Sequence, residues 1–457
     1  MMKLGDIKHI YFIGIGGIGM SALARYFHSL GMMVSGYDKT STPLTRALES
    51  EGMKVHYTDD INLAPRDVEA VVYTPAIPAT HSALKLYRDN GYPVLKRSDV
   101  LQLISDHSFN ICVAGTHGKT TISAMIAHIL RDAGYGCNAF LGGIATNYQT
   151  NFWSHERNLC VIEADEYDRS FLKLSPDIAV ISAMDPDHLD IYGTAEEMEE
   201  AYVGFTRKIR PGGLLISRKG LTREKDLVSD LHDTYHLSNA NASVYAKNLR
   251  VEEGLYKYDI SWRNEEIEGF ELRMGGIHNV ENSIAAIGVA LHIGIEQQKI
   301  KNAVADFKGV KRRFEYIDRN EEFVYVDDYA HHPEELKSLI NSVKMLYPGK
   351  QSVVIFQPHL FSRTKDLADG FAESLDGADE VILLPIYPAR ELPMEGVSSE
   401  MILGKMKKEK KQLLEKEALL SWITENKGSI SGKKILVTAG AGDIDQLIRP
   451  IHNILSN

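Results

Sequence analysis

Cysteine is scarce: three occur in 457 residues, at 112, 137 and 160, and none forms a C-x-x-C pair. Cys112 and Cys160 lie in apolar runs (ICVAG, LCVIEAD), the setting of buried free thiols, and a reducing compartment is expected. Long apolar stretches are missing too, since no unbroken run reaches the roughly 18 residues of a membrane span. The opening HIYFIGIGG reads as a strand with no secretory apolar segment or cleavage site, so a cytoplasmic location is expected. Positive charge is in deficit, with a formal net charge of −11. That argues against a protein dominated by phosphate-backbone binding. Neither nucleic acid nor membrane is expected as a partner, while one small anion in a local pocket remains compatible. No short-period repeat or low-complexity tract occurs, and no pattern assigns an oligomeric state.

What is present is ordinary globular composition, 44% apolar and 25% charged. The length predicts two to four domains. Short apolar runs alternate with helix-length segments: HIYFIGIG, MMVSGYD and AVVYTPAI; then NICVAGT, NLCVIEAD, DIAVISAM and GGLLISR; later EFVYVDDYA, SVVIFQPH, EVILLPIY and KILVTAGAG. This predicts an α/β protein with parallel sheets covered on both faces. Residues 244–273 alternate polar and apolar instead and predict antiparallel hairpins. Three units fit the spacing, at 1–107, 108–318 and 319–457. The tract KMKKEKKQLLEKEALLSW reads as a solvated helix face.

Two glycine-rich turns follow strands. GIGGIGM places Gly14, Gly16 and Gly19 as G-x-G-x-x-G, with Asp38 closing the next strand about 20 residues on. Such glycines let the backbone approach a diphosphate at a helix N-terminus. The motif does not choose among NAD, FAD and UDP. The second turn, VAGTHGKTT, is a phosphate loop two residues short of G-x-x-x-x-G-K-[ST]. Its backbone amides can wrap β- and γ-phosphates, Lys119 adds a point charge, and the Thr120 hydroxyl can reach Mg²⁺.

In EADEYDRS, Glu163 ends an apolar strand ahead of Asp165, Glu166 and Asp168. A strand-end carboxylate beside a phosphate loop suits Mg²⁺; a solvated acidic turn is the alternative. MDPDHLDIYG repeats the idea with Asp185, Asp187, His188 and Asp190, against the alternative of a helix-capping turn. GGIHNVENS reads as a helix N-terminus. Arg312 and Arg313 stand near a unit border, where arginines can clamp a phosphate. Asp327, Asp328, His331, His332, His359 and Arg363 stand at strand C-termini, where open α/β sheets bind ligands. Zinc is not expected at the His pair.

Taken in order, GIGGIGMSALA, GTHGKTT, EADEYDRSFL, DHLDIYG, GIHNVENSIAA, GVKRRFE, VDDYAHHPEE, FQPHLFSRT and GAGDI resemble the Mur ligase family across nearly the whole chain. The resemblance implies three domains: a Rossmann-like N-terminal domain for a UDP-sugar, a central phosphate-loop α/β domain with a small antiparallel portion, and a Rossmann-like C-terminal domain for an amino acid. It implies ATP-dependent ligation of L-alanine to UDP-N-acetylmuramate through an acyl phosphate, with Mg²⁺ or Mn²⁺. The UDP-sugar would meet Gly14, Gly16, Gly17, Gly19, Asp38 and Thr74. ATP would meet Gly115, Thr116, His117, Gly118, Lys119, Thr120, Thr121, His278, Asn279, Asn282, Arg313 and Asp328.

Thr120, Glu163 and His188 would hold the metal. Tyr329, His331, His332 and Arg363 would face the amino acid, and Lys119, Glu163, His188, Arg313, His332 and Arg363 would carry the chemistry. Two positions depart from the family: Leu360 stands where some members have a second arginine, and Val203 where relatives have a carbamoylated lysine. A ligase joining a tripeptide to the same sugar nucleotide, an NAD-dependent oxidoreductase and a non-catalytic phosphate-loop switch are the competing readings.

Overall fold

The computed structural model describes residues 7–186, 189–252, 254–320, 323–389 and 391–456. Three sheets organise them. The first consists of β1 (His9–Ile13), β2 (Met33–Tyr37), β3 (Lys54–His56), β4 (Ala70–Tyr73) and β5 (Val94–Lys96), in the order β3-β2-β1-β4-β5. Every pairing in it is parallel. Connections run to opposite sides of β1, so a crevice opens at the C-terminal ends of β1 and β4.

The second sheet holds β6 (Phe109–Ala114), β7 (Asn138–Ala145), β8 (Thr150–Trp153), β9 (Leu159–Glu163), β10 (Ile178–Ile181), β11 (Leu214–Arg218), β12 (Leu231–His236), β13 (Val244–Glu252), β14 (Leu255–Trp262) and β15 (Glu265–Leu272). Its order is β15-β14-β13-β12-β11-β10-β6-β9-β7-β8. β6 therefore lies between β9 and β10, parallel to both. The expected hairpins are β13–β15. Arg263 and Asn264 join β14 to β15 with φ of 47° and 71°, the double left-handed turn that matches strand twist in two-residue hairpins.

The third sheet comprises β16 (Glu315–Arg319), β17 (Val324–Asp328), β18 (Gln351–Phe356), β19 (Glu380–Leu383), β20 (Lys411–Leu413) and β21 (Lys434–Ala439), ordered β16-β17-β21-β18-β19-β20. All pairs are parallel except the antiparallel β16·β17. The last strand is thus inserted between β17 and β18. β16 belongs to this sheet, so the expected border at 318/319 falls inside a strand.

By compactness the chain forms two units: 1–247 with 259–270 and 281–305, and 248–258 with 271–280 and 306–457. The first sheet and the second sheet apart from stretches of its β13–β15 hairpins fall in one unit, where they share a core. One buried cluster runs from Ile10 and Phe12 of β1 through Phe140 and Phe152 to Ile181 and Leu215. The Tyr26 ring lies 5.3 Å from Phe140 and 6.0 Å from Phe152. The third sheet has its own core, including Tyr325, Val353, Ile382 and Leu436.

All three cysteines are free and buried; burial pushes the Cys160 thiol up to about 11 and the Cys137 thiol to about 12. Among the described residues no helix is long and apolar enough to cross a membrane. The lysine- and glutamate-rich tract corrects the helix expected of it. Lys411–Leu413 is the edge strand β20, and a helix begins only at Lys416. Charged side chains suit an exposed sheet edge as well as a helix face, so composition alone did not separate the two.

Candidate active site

The C-terminal ends of β6, β9 and β10 lie side by side, and each delivers part of one site. β6 ends at Ala114, and the chain turns through Gly115–Gly118 into the helix Lys119–Asp132. Gly115 has φ of +132°, and a Cβ there would fall 2.2 Å from Ser182 Oγ and 2.8 Å from the Ala183 amide nitrogen. Only glycine fits so close to the end of β10. Gly118 caps the helix with φ of +81°, and its missing Cβ would sit 2.7 Å from Asn282 Oδ1. Asn282 is therefore at the loop, as expected for a nucleotide contact.

The loop is pinned from outside. The Thr116 amide donates to the Ala183 carbonyl at 3.2 Å, and its hydroxyl accepts from the Asp185 amide at 3.2 Å. The Ser182 hydroxyl donates to the His117 carbonyl. The amides of His117, Gly118, Lys119 and Thr120 have no partner among the described residues. Four free donors at a helix N-terminus form an anion cradle. The His117 ring is mostly exposed, with Nε2 3.9 Å from Asp185 Oδ2, and Thr121 is buried in the first helical turn.

β9 supplies the acidic side. The Thr120 hydroxyl donates to Glu163 Oε1 at 2.9 Å, and the Gly142 amide donates to Glu163 Oε2 at 2.9 Å. Desolvation raises the Glu163 carboxyl above its usual range, against the pull of Lys119 and the Thr120 bond. Lys119 Nζ donates to Glu166 Oε1 at 2.8 Å and to the Gly115 carbonyl at 2.7 Å. Glu166 Oε2 is buried without a partner. The Thr120 hydroxyl and the Glu163 carboxylate are hard oxygen donors, the chemistry that suits Mg²⁺ or Mn²⁺. Asp187 and His188 lie outside the described residues. Among those described, no group of three or more His, Cys, Asp or Glu could hold a metal by itself.

The first glycine loop is built differently. The Gly14 and Ile15 amides donate to the Tyr37 carbonyl at 2.7 and 3.0 Å, Gly17 to Gly14 at 3.2 Å, and Gly16 to Asp38 Oδ2 at 2.8 Å. Asp38 Oδ1 accepts from the Thr40 amide at 3.2 Å. Both Asp38 oxygens thus accept backbone amides, one from the glycine turn and one from Thr40. Thr74 follows β4 at the crevice, its methyl 3.1 Å from where a Gly14 Cβ would stand. Across Gly19, 2.6 Å from the position of its absent Cβ, lies Arg97 Nη1. Arg97 Nη2 in turn donates to Asp165 Oδ2 at 3.3 Å. Gly17 has no steric demand, since its added Cβ would meet nothing closer than 3.5 Å.

The second unit gathers the remaining residues at the ends of β17 and β18. Asp328 accepts from the Phe314 and Ala330 amides, both at 2.7 Å, and burial pushes its carboxyl up to about 6. Arg312 is committed to Asp327 at 3.1 Å, whereas the Arg313 guanidinium lies 5.4 Å from the Tyr329 ring centroid. The Tyr329 ring meets His331 at 5.2 Å, His331 meets His359 at 6.3 Å, and Arg363 Nη1 reaches His359 Nδ1 at 3.4 Å. Arg313, Tyr329, His331 and Arg363 are thereby brought together, and His359 is the link between them.

Burial, with Arg363 next, lowers His359 to about 4; burial also lowers His331. Both rings are neutral near pH 7. His332 is exposed and caps the helix Pro333–Leu346. Leu360 caps the helix Phe361–Leu375 with φ of 70°. His278 Nδ1 lies 3.2 Å from Ser338 Oγ, and Asn279 donates to the Gly275 carbonyl at 2.6 Å.

Three family models match in succession: "Mur ligase family, catalytic domain" over 9–109, "Mur ligase middle domain" over 113–290 and "Mur ligase, glutamate ligase domain" over 312–442. The UDP-N-acetylmuramate–L-alanine ligase of Cytophaga hutchinsonii is 47% identical, covering 98% of this chain and 97% of its own. The chain belongs to the Mur ligase family. Its relative from Flavobacterium johnsoniae, of the same name, is 44% identical over 100% of this Mur ligase and 99% of its own length. The crystal structure of UDP-N-acetylmuramate–alanine ligase from Thermotoga maritima is similar to this Mur ligase with a TM-score of 0.81 and 27% identity, covering 98% of each chain.

Sequence reasoning had passed over Arg97 and the special place of Glu166 in this Mur ligase, and had placed His359 at a strand end without a role. Glu166 stood inside a motif already singled out, whereas nothing local marked Arg97.

Proposed function

We propose that this Mur ligase joins L-alanine to UDP-N-acetylmuramate, driven by ATP, in the cytoplasmic assembly of peptidoglycan precursors. The observation that carries the reading is the Gly115–Thr120 cradle: four free amides, one lysine, and a hydroxyl paired to a strand-end carboxylate. The full-length likeness to alanine ligases supports the choice of substrates.

A carboxylate is a poor acyl donor because it would have to expel oxide. Attack of the lactyl carboxylate on the γ-phosphoryl of ATP gives an acyl phosphate and ADP. The neutral amine of L-alanine then attacks the acyl carbon, and the tetrahedral intermediate expels inorganic phosphate. The first step brings two anions together, so charge must be neutralised where they meet. The amides of residues 117–120 and Lys119 take the β- and γ-phosphates. Mg²⁺ or Mn²⁺, held by Thr120, Glu163 and His188, would add charge neutralisation to the phosphates. Asn282, at the loop, is assigned to the nucleotide; His278, Asn279, Arg313 and Asp328 are assigned to it by the family resemblance alone.

The crevice with Gly14, Gly16, Gly19 and Thr74 takes the UDP group, with Asp38 bracing the turn. Arg363 holds the amino-acid carboxylate. The neutral His331 and His359 flank it without adding charge, with Tyr329 and His332 nearby. Incubation with UDP-N-acetylmuramate, ATP and separate amino acids or tripeptide, with the product read by mass, tests the reading. The L-alanyl product is expected; product with tripeptide alone would favour the recycling chemistry.

A further inference from the structure

One member of the acidic turn after β9 has no task in the scheme above. Glu166 is 1% exposed, yet only Oε1 has a partner, the Lys119 ammonium. Its backbone is held firmly. The Glu166 carbonyl accepts from Tyr192 Oη at 2.6 Å and from the Arg169 amide at 2.9 Å. Asp168 and Arg169 follow with left-handed φ of 54° and 53°, conformations that persist only where surroundings impose them.

An ammonium has three N–H bonds. Here Lys119 Nζ meets three acceptors: Glu166 Oε1 at 2.8 Å, Gly115 O at 2.7 Å and Thr116 O at 3.5 Å. It is folded back on its own loop, with no donor left over for a phosphate. The amides around it, by contrast, are free.

We propose that Glu166 is a positioning residue of the phosphate loop. It holds the Lys119 ammonium against Gly115 in the nucleotide-free protein and yields it to the terminal phosphate of ATP. The proposal rests on reading Gly115–Thr121 as the ATP loop. The exchange swaps hydrogen bonds and moves no proton. Glu166 competes with the phosphate for one cation and adds a buried negative charge beside it, so it weakens nucleotide binding. The same grip keeps the ammonium beside the loop's mouth, ready for the transferring phosphoryl group, so it favours turnover. Binding and catalysis should therefore respond to Glu166 with opposite signs.

The test uses the full-length protein, a non-hydrolysable ATP analogue with Mg²⁺ in calorimetry, and steady-state turnover. Glu166→Gln should bind the analogue about five- to tenfold more tightly and turn over about tenfold more slowly, the size of one charge-assisted hydrogen bond. Glu166→Asp keeps the charge on a shorter arm. It should bind within twofold of the parent and still lose turnover. A merely structural carboxylate would weaken binding and turnover together, and that result overturns the proposal. So does Glu166→Gln affinity within twofold of the parent, or full turnover in Glu166→Asp. Lys119→Ala separates the two levels. If it binds the analogue like the parent, the ATP loop itself is misassigned. If it loses binding while Glu166→Gln matches the parent, only the role of Glu166 falls.

Discussion

The two glycine loops follow the first strands of two sheets, and both open a helix. They resolve the same backbone problem in opposite ways. In the first, the amides of Gly14, Ile15, Gly16 and Gly17 are spent on the Tyr37 carbonyl, Asp38 and Gly14. In the second, the amides of His117 to Thr120 are left open, while carbonyls and side chains around them are pinned. A loop closed on itself offers shape and the first helical turn; an open one offers donors for charge. The difference matches their proposed tasks, since a UDP group only has to be held whereas a γ-phosphoryl has to be transferred.

The sharpest way to break this contrast is Lys119→Ala. Turnover should fall about 10³-fold, as expected when a donor to transition-state charge is lost, while binding of UDP-N-acetylmuramate alone is unchanged in calorimetry. Comparable loss of both would mean that the loops are not separate sites.

Next are the glycines. Gly115→Ala would drive a Cβ into the backbone at Ser182–Ala183 from a left-handed φ. It should cost about 3 kcal/mol or more in urea unfolding. Gly16→Ala meets the Thr45 methyl at 2.5 Å and the Asp38 carboxylate at 2.8 Å. Side chains can shift, so a loss of about 1–2 kcal/mol is expected. The reverse order would show that the first loop, not the second, is the rigid one.

Asp38→Ala frees the Gly16 amide and removes the brace. It should raise KM for the sugar nucleotide about tenfold with KM for ATP unchanged; a rise in the ATP value alone would contradict the assignment. The smallest effect belongs to Gly17→Ala. Its φ is −63° and an added methyl meets only ordinary contacts, so stability should stay within about 0.5 kcal/mol.

Much of this was legible before any coordinates. The central parallel strands read as apolar runs because both faces are buried: Ile111, Cys112 and Val113 in β6, or Val161 and Ile162 in β9, are fully enclosed. The open loop was legible because Gly118-Lys119-Thr120 must sit in one local turn. Short edge strands escaped notice. β5 and β20 have three residues each, partly exposed, so neither burial nor alternation marks them. Glycines 142 and 143 likewise disguised β7.

At the site, Thr120 and Glu163 were singled out because each closes a recognisable strand or loop, and the structure pairs them. Arg97 was not, because its partner Asp165 is 68 residues away in sequence and nothing local predicts the meeting. The same holds for Glu166, one acid among four in EADEYD until the fold selects it for Lys119. Asp38 was singled out for its spacing, but its bonds to the Gly16 and Thr40 amides were not foreseen, since spacing fixes where a strand ends and not which donor waits there.

The turn 163–166 has a consequence for how variation in this protein must be read. Within four residues, three carboxylates hold three partners: the adjacent Lys119 and Thr120 of the phosphate loop, and Arg97, which opens the helix after β5. A change at any of them tugs on a shared short backbone. Effects of paired substitutions here should depart strongly from the sum of the single ones, and a lineage that alters one anchor would be under pressure to adjust its neighbours in the same step.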